Sequence, residues 1–340
     1  MENRKDTEKA LGILSSFEQV DGVIGISKKR IAFFAFFALI LMAIIGLEAS
    51  VPPVEGEGNG IILIVEPNSG VVDSSYTDTE DWAKLESDND PLIEDLYAIP
   101  TDVWLKVLGD KGHYHFGQIN PLDPSEDIFE HAVRFLYQFI PDHSAVLDCG
   151  CGWGGPAKLL AIEKGCKVTG VTTSFLQYEF IRDHVKEIEV VYKDLHKYIP
   201  QKKFDCALFF ESATHLPNPR QIFLNLFPQV DAILLSDFIA TDETFYNPRW
   251  SMYFRTKEEI IGMLRDSGYE LEHYEEIVTT EEIRKSAQYW LDNLAKLNEE
   301  EIVGQLAALK NSSLRWSECS DCRRPWSIGV FYAKKNVQLP

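Results

Sequence analysis

Apolar and polar positions change period along this chain, and the changes mark its elements. Ala145-Val146-Leu147-Asp148-Cys149 is an apolar run closed by an acid, as expected of a strand buried on both faces. Ala157 to Ile162 follows with helical spacing, with Pro156 in the first turn and Gly165 as a left-handed stop. The alternation then repeats. Strands are predicted at Cys166–Ser174, Ile188–Tyr192, Phe204–Phe210 and Ala232–Ser236, with helices at Phe175–His184 and Pro219–Phe227 between them. Thr256 with Glu259, and Thr279 with Glu282, have capping-box spacing at the starts of two more helices. The second opens a helical insertion, Thr279 to Lys310, read either as a helix packed on the sheet or as part of a lid. Tyr269–Tyr274 and Trp326–Lys334 alternate as a closing hairpin. Upstream, Leu92–Leu108 has near-helical spacing, and Ser125 is placed to cap a helix carrying Ile128, Ala132, Val133 and Leu136. Strands alternating with helices make an α/β, doubly wound, mostly parallel sheet of seven strands.

The pattern before residue 91 is different. Ile31 to Leu47 is apolar throughout and follows Lys28-Lys29-Arg30. At 1.5 Å per residue it reaches roughly 26 Å, enough for a thin bilayer. Its competitor is a cleaved secretory signal, opposed by an n-region of about thirty residues and by the lack of a small-x-small cleavage site. The expected organisation is a tail (1–30), a transmembrane helix (31–47), a flexible acidic linker (48–90) and a folded domain (91–340). The cations before the span place the N-terminus in the cytosol and the domain across a single-pass membrane. The opposite orientation stands as the alternative.

Composition narrows the partners. Lys+Arg number 33 against Asp+Glu 53, a formal charge of −20. Nucleic acid is therefore not an expected partner, because phosphate binding needs a basic track. Of six cysteines, Cys149, Cys151, Cys166 and Cys206 fall in or beside core strands, where thiols act as small apolar groups. Cys319 and Cys322 form a C-x-x-C without a second ligand pair for zinc, and no metal site is expected.

The chemistry starts at the glycine turn after the first strand. Gly150, Gly152 and Gly155 satisfy G-x-G-x-x-G; Gly150, Gly152 and Gly154 satisfy G-x-G-x-G. The glycines do not separate a dinucleotide from S-adenosylmethionine (SAM). Asp148 suits a ligand with an amino group and a sulfonium better than a pyrophosphate. Thr172 stands where a dinucleotide site needs an acid for the ribose hydroxyls. No lysine follows the turn as in a P-loop.

Three segments carry a family resemblance. VLDCGCGWGG resembles motif I of class I SAM-dependent methyltransferases. GCKVTGVTTSFLQ and FDCALFFESATHLPN are similar to the second- and fourth-strand segments of the branch that holds cyclopropane-fatty-acid-synthase-like, tocopherol-methyltransferase-like and sarcosine-methylating enzymes. The resemblance covers about Gly112 to Lys335. It implies a Rossmann-like methyltransferase fold with SAM as methyl donor, held by Asp148, Gly150, Gly152, Gly154, Thr172, Thr173, Gln177, Asp194 and Leu195. It also implies that His113-Tyr114-His115-Phe116-Gly117 closes over the donor, although the same residues read equally as a core-facing cluster.

Methyl transfer from a sulfonium is an in-line displacement that depends mainly on positioning. Glu211 and His215 follow the fourth strand, at the end of the sheet where such folds bind ligands. With Tyr114 they are the catalytic candidates: His215 as a base, Glu211 as a stabiliser of positive charge or a structural partner of the SAM site. The expected acceptor is a small molecule or a lipid. The alternatives are a catalytically silent SAM-binding membrane protein and an NAD-linked oxidoreductase.

Overall fold

The computed structural model describes residues 99–318 and 324–336. The segment 31–47, the linker, the start of the 92–108 helix and the Cys319/Cys322 pair lie outside them. Among the described residues no helix is long and apolar enough to cross a membrane.

Five strands, β1 (Ala145–Cys149), β2 (Lys167–Thr172), β3 (Glu189–Tyr192), β4 (Cys206–Phe210) and β5 (Ala232–Ala240), lie parallel in the order β3-β2-β1-β4-β5. All five residues of β4 are buried, which accounts for its unbroken apolar sequence. The closing hairpin expected from the alternation is present. β9 (Trp326–Lys335) runs antiparallel to β5 along its whole length, and β8 (Tyr269–Glu276) pairs with its far edge.

The sheet has nine strands rather than seven. β5 continues to Ala240 instead of stopping at Ser236. Its last two residues pair with β7 (Met252–Thr256), which forms a hairpin with β6 (Phe245–Asn247). The turn of that hairpin includes Ser251 at φ 49° and no glycine, so it lacks the usual sequence signal.

The helices are α1 (Thr101–Leu108), α2 (Ile128–Phe135), α3 (Gly155–Lys164), α4 (Phe175–His184), α5 (Pro219–Leu226), α6 (Lys257–Asp266), α7 (Thr280–Leu294) and α8 (Gly304–Glu318). Asp127, not Ser125, caps α2: its Oδ1 accepts from the amides of Phe129 and Glu130 at 2.9 and 3.2 Å. Both capping boxes form, at Thr256/Glu259 and Thr279/Glu282. The insertion is a helical pair, α7 and α8, not one continuous helix. Its apolar faces meet α1: Trp104, Val107 and Leu108 pack with Ile283, Trp290, Leu294, Leu306 and Leu309. Each such buried side chain contributes about 1.5–3 kcal/mol. The four described cysteines are buried and reduced, as the sequence indicated.

Candidate functional site

The turn after β1 is fastened to β2, where the amides of Gly150 and Cys151 both donate to the Val171 carbonyl, at 2.9 and 3.1 Å. A Cβ on Gly150 would lie 2.7 Å from Cβ of Ser212, whereas one on Gly152, at φ 53°, would meet nothing within 4 Å. Gly150 is therefore required by packing and by its φ of 85°, and Gly152 by its left-handed backbone, with open space beside it. Gly154, at φ 81°, turns the chain into α3 and does not line the cleft. Asp148 is 2% exposed, and its Oδ2 has no hydrogen-bond partner. Burial pushes its pKa up to about 7.

The end of β2 forms a closed polar network. Thr172 Oγ1 donates to Gln177 Oε1 at 2.7 Å and accepts from the Ser174 amide at 3.1 Å, while Ser174 caps α4. A threonine engaged in this way cannot do for two ribose hydroxyls what an acid does in a dinucleotide site. After β3, Asp194 accepts from the amide and Nδ1 of His196, both on Oδ1. Burial opposes its ionisation, but these bonds outweigh it and hold its pKa below the usual value.

Glu211 and His215 follow β4 on a tight turn rather than on an α-helix. Glu211 has φ 50°, uncommon for a residue with a side chain, and only Ala213–His215 forms one turn of 3-10 helix. The turn is held from beneath. Buried Asp237 accepts from the amides of Ala213 and Thr214 through Oδ2 and of Phe238 through Oδ1, at 2.6, 3.2 and 2.8 Å. Arg255 donates to the carbonyls of Leu216 and Pro217 at 2.7 and 3.0 Å. Burial raises the pKa of Asp237 to about 7, despite these amides. Glu211 is also pushed well above its ordinary range, by loss of water first and by the charge of Asp237, against the Phe116 amide. His215 Nδ1 lies 3.1 Å from the Ser251 carbonyl. A carbonyl only accepts, so Nδ1 carries the proton and Nε2 is the basic nitrogen.

The segment 113–119 reaches the site from the other side. His115 stacks on Phe210 at 4.3 Å and donates from Nδ1 to the Phe116 carbonyl; its Nε2 then accepts from His113 Nδ1 at 3.2 Å. Burial keeps both imidazoles neutral, with pKa values lowered to about 3 for His115 and about 4 for His113. The Phe116 amide donates to Glu211 Oε1 at 2.8 Å, the Gly117 amide to Ser286 Oγ at 2.9 Å, and the Ile119 amide to Glu282 Oε1 at 2.9 Å. The segment thus joins the β4 turn to α7. Tyr114 packs between Trp104 and Trp290, with centroids at 5.1 and 6.1 Å, which makes it a wall residue as well as a catalytic candidate.

These elements enclose one cleft of about 1370 Å3. That exceeds the ~300–1,000 Å3 common for a single small ligand and suits two ligands side by side. Asp148, Gly150, Gly152, Thr172, Thr173, Gln177, Asp194 and Leu195 line it together with Tyr114, Glu211 and His215. The sequence reading omitted Ser212, Asn247, Trp250, Met252 and Phe254, together with Gln305, Leu309, Trp316 and Trp326. The density of aromatic residues between Phe245 and Phe254 was an available signal. Asp237 and Arg255 were also overlooked, since a buried charge on a strand has no sequence signature.

Geometry defines the class first: an α/β sheet with a glycine turn at its ligand-binding end and a second, aromatic compartment beside it. Residues 147–227 match the family model of a methyltransferase domain. The (S)-tetrahydroprotoberberine N-methyltransferase of Eschscholzia californica is 29% identical over 163 residues, 44% of this chain and 46% of that protein. A sterol 24-C-methyltransferase of Gibberella zeae is 25% identical over 223 residues, 58% of each chain. The matches therefore span about half the length of these relatives. A crystal structure of coclaurine N-methyltransferase bound to N-methylheliamine and SAH shares the fold, with TM-score 0.61, 19% identity, 73% of this chain and 83% of that one. In motif and in fold, the described domain resembles the class I SAM-dependent methyltransferases.

Proposed function

We propose that this protein transfers the methyl group of SAM to a small-molecule acceptor with an apolar body. The observation that carries the reading is one cleft lined both by the glycine turn with Asp148 and Asp194 and by a set of aromatic side chains, with Glu211 and His215 among them. The residues present suit SAM. Asp148 has an unpartnered carboxylate oxygen for an amino group, Gly152 leaves space where a side chain would stand, and Asp194 suits the adenine amino group. SAM supplies an electrophilic methyl on a sulfonium. The chain's part is to hold acceptor and methyl in line and to exclude water, which can be worth about 7–11 kcal/mol of barrier. His215 Nε2 takes any proton the nucleophile sheds.

Membrane attachment through residues 31–47 belongs to the same proposal and is supported by their apolar sequence alone. It would keep the cleft near the bilayer and favour lipid-soluble acceptors. Incubating the full chain with methyl-labelled SAM and extracted metabolites tests the activity. Label in an extractable product is expected. Calorimetric binding of SAM without transfer would leave the silent binder, and binding of NAD in its place would leave the oxidoreductase.

A further inference from the structure

The second compartment of the cleft has a one-sided charge inventory. Among the described residues that line the cleft, the lysines are Lys193 and Lys197, and both flank Asp194 beyond β3. Aromatic side chains and His215 line the cleft together with Glu211. Phe116 is the hub: its ring lies 5.2 Å from Trp290, 5.3 Å from Trp316, 5.8 Å from Trp326 and 6.0 Å from Phe238. The amide of the same residue grips Glu211. Arg324 sits 4.8 Å over the Trp326 ring but does not itself line the cleft. Burial favours the neutral form of Glu211, and a cation beside it restores the charge, so a carboxyl group among several π-faces selects a cation over an anion. Among the described residues no arginine lines the cleft, and its two lysines both flank Asp194.

Two reactions place positive charge there: methylation of an amine and methylation of an alkene through a carbocation. Glu211 and His215 are both partly exposed. An alkene is uncharged until the methyl arrives and gains nothing from this compartment on binding, whereas an amine can enter as its ammonium.

We infer that the acceptor is an apolar amine, recognised as a cation by Glu211 and the rings gathered around Phe116. This rests on the methyl-transfer reading above. The bound ammonium first passes one proton to His215 Nε2, which frees the nitrogen lone pair. The lone pair then forms the N–C bond as the C–S bond breaks, and the positive charge moves from sulfur to nitrogen. A tertiary amine ends as a quaternary ammonium and a secondary amine as a tertiary ammonium.

The test uses the full chain saturated with S-adenosylhomocysteine, so that the sulfonium position is filled. Tryptophan fluorescence is titrated with benzyltrimethylammonium and with its neutral carbon isostere, neopentylbenzene. The ammonium is expected to bind at least about tenfold more tightly, and Glu211→Gln to remove most of that preference. Equal or tighter binding of the isostere by the unaltered protein overturns the inference. In a second arm, labelled SAM is supplied with N,N-dimethylbenzylamine and with 2-methyl-3-phenylpropene. Label on nitrogen is expected; label on the alkene carbon with none on nitrogen overturns the inference. Calorimetry of S-adenosylhomocysteine on the same preparation separates the two levels. Its failure to bind would undo the methyl-transfer reading, whereas its binding without ammonium preference would undo the amine alone.

Discussion

The backbone amide of Phe116 lies 2.8 Å from Oε1 of Glu211, a bond that joins residues 95 positions apart across the mouth of the cleft. It ties the carboxyl group at the β4 turn to the segment whose Tyr114, His115 and Phe116 line the cleft. Glu211→Ala should therefore cost about 1–3 kcal/mol of stability through the stranded amide. It should also reduce turnover by about 100-fold or more while cofactor affinity stays within about threefold, the pattern of a group acting on the acceptor. Chemical denaturation, calorimetry and steady-state rates on one preparation check the three parts. An equal loss of cofactor affinity would assign Glu211 to the donor site.

Gly152→Val should weaken SAM binding by at least about 100-fold, or roughly 2.7 kcal/mol. The new side chain would project into open space beside the turn from a left-handed backbone. Strain there costs about 1–2 kcal/mol, so the sheet should still fold. Calorimetry with circular dichroism distinguishes lost binding from lost structure.

Asp148 links pH to both binding and stability. Burial raises its pKa to about 7 in the fold, against 3.8 for an unperturbed aspartate. Between about pH 4 and 7 the folded state holds a proton that the unfolded state has released, so stability falls as pH rises through that window, by about 4 kcal/mol from this group. Asp148→Asn should remove that loss and stabilise the domain at pH 7. An ionised carboxylate is needed for the ligand's ammonium, so SAM affinity should fall about tenfold per unit below pH 7 and level off above it. In the asparagine variant that dependence should vanish and affinity should be lower at pH 8. Denaturation midpoints and binding isotherms across pH 5–8 decide.

Asp237→Ala should destabilise the domain by about 3 kcal/mol or more, because several buried amides lose their acceptor together. Asp237→Asn keeps an acceptor oxygen and should fall between the alanine variant and the native protein. The midpoint of urea unfolding ranks the three.

If residues 31–47 anchor the chain, the full protein stays in the membrane pellet after a carbonate wash. A processed N-terminus between Glu48 and Pro53 would identify a cleaved signal instead. About seventeen apolar residues far exceed the hold of one myristoyl chain, so partial release is not expected.

The centre of the sheet could be read from the sequence because β1, β4 and β5 are buried on both faces and write themselves as largely apolar runs, while β8 showed itself by alternation. The glycine turn was equally plain, since φ 85° at Gly150 and φ 53° at Gly152 leave little choice of residue. The short β6–β7 hairpin was not legible: three-residue β6 is below any period, and Ser251 makes its turn without glycine. The cap of α2 was displaced because Ser125 instead donates to Asp123, leaving Asp127 nearest the helix. In the cleft, the acids and glycines proposed to hold the donor stood out in the sequence. The acceptor wall did not, because Trp250, Trp316 and Trp326 come from three separate elements and meet only in three dimensions.

Glu282 gives the insertion a dynamic character. Its Oε2 closes the capping box with Thr279, and its Oε1 holds the Ile119 amide from 163 residues away. The first turn of α7 and the 113–119 strap therefore share one fastening. Fraying either end breaks bonds of the other, so the two should open as a single cooperative unit. Native-state hydrogen exchange would then show the amides of Gly117, Ile119 and the start of α7 with matching protection, apart from the slower strands of the sheet. Opening of that unit would free both ligands' compartments in one motion.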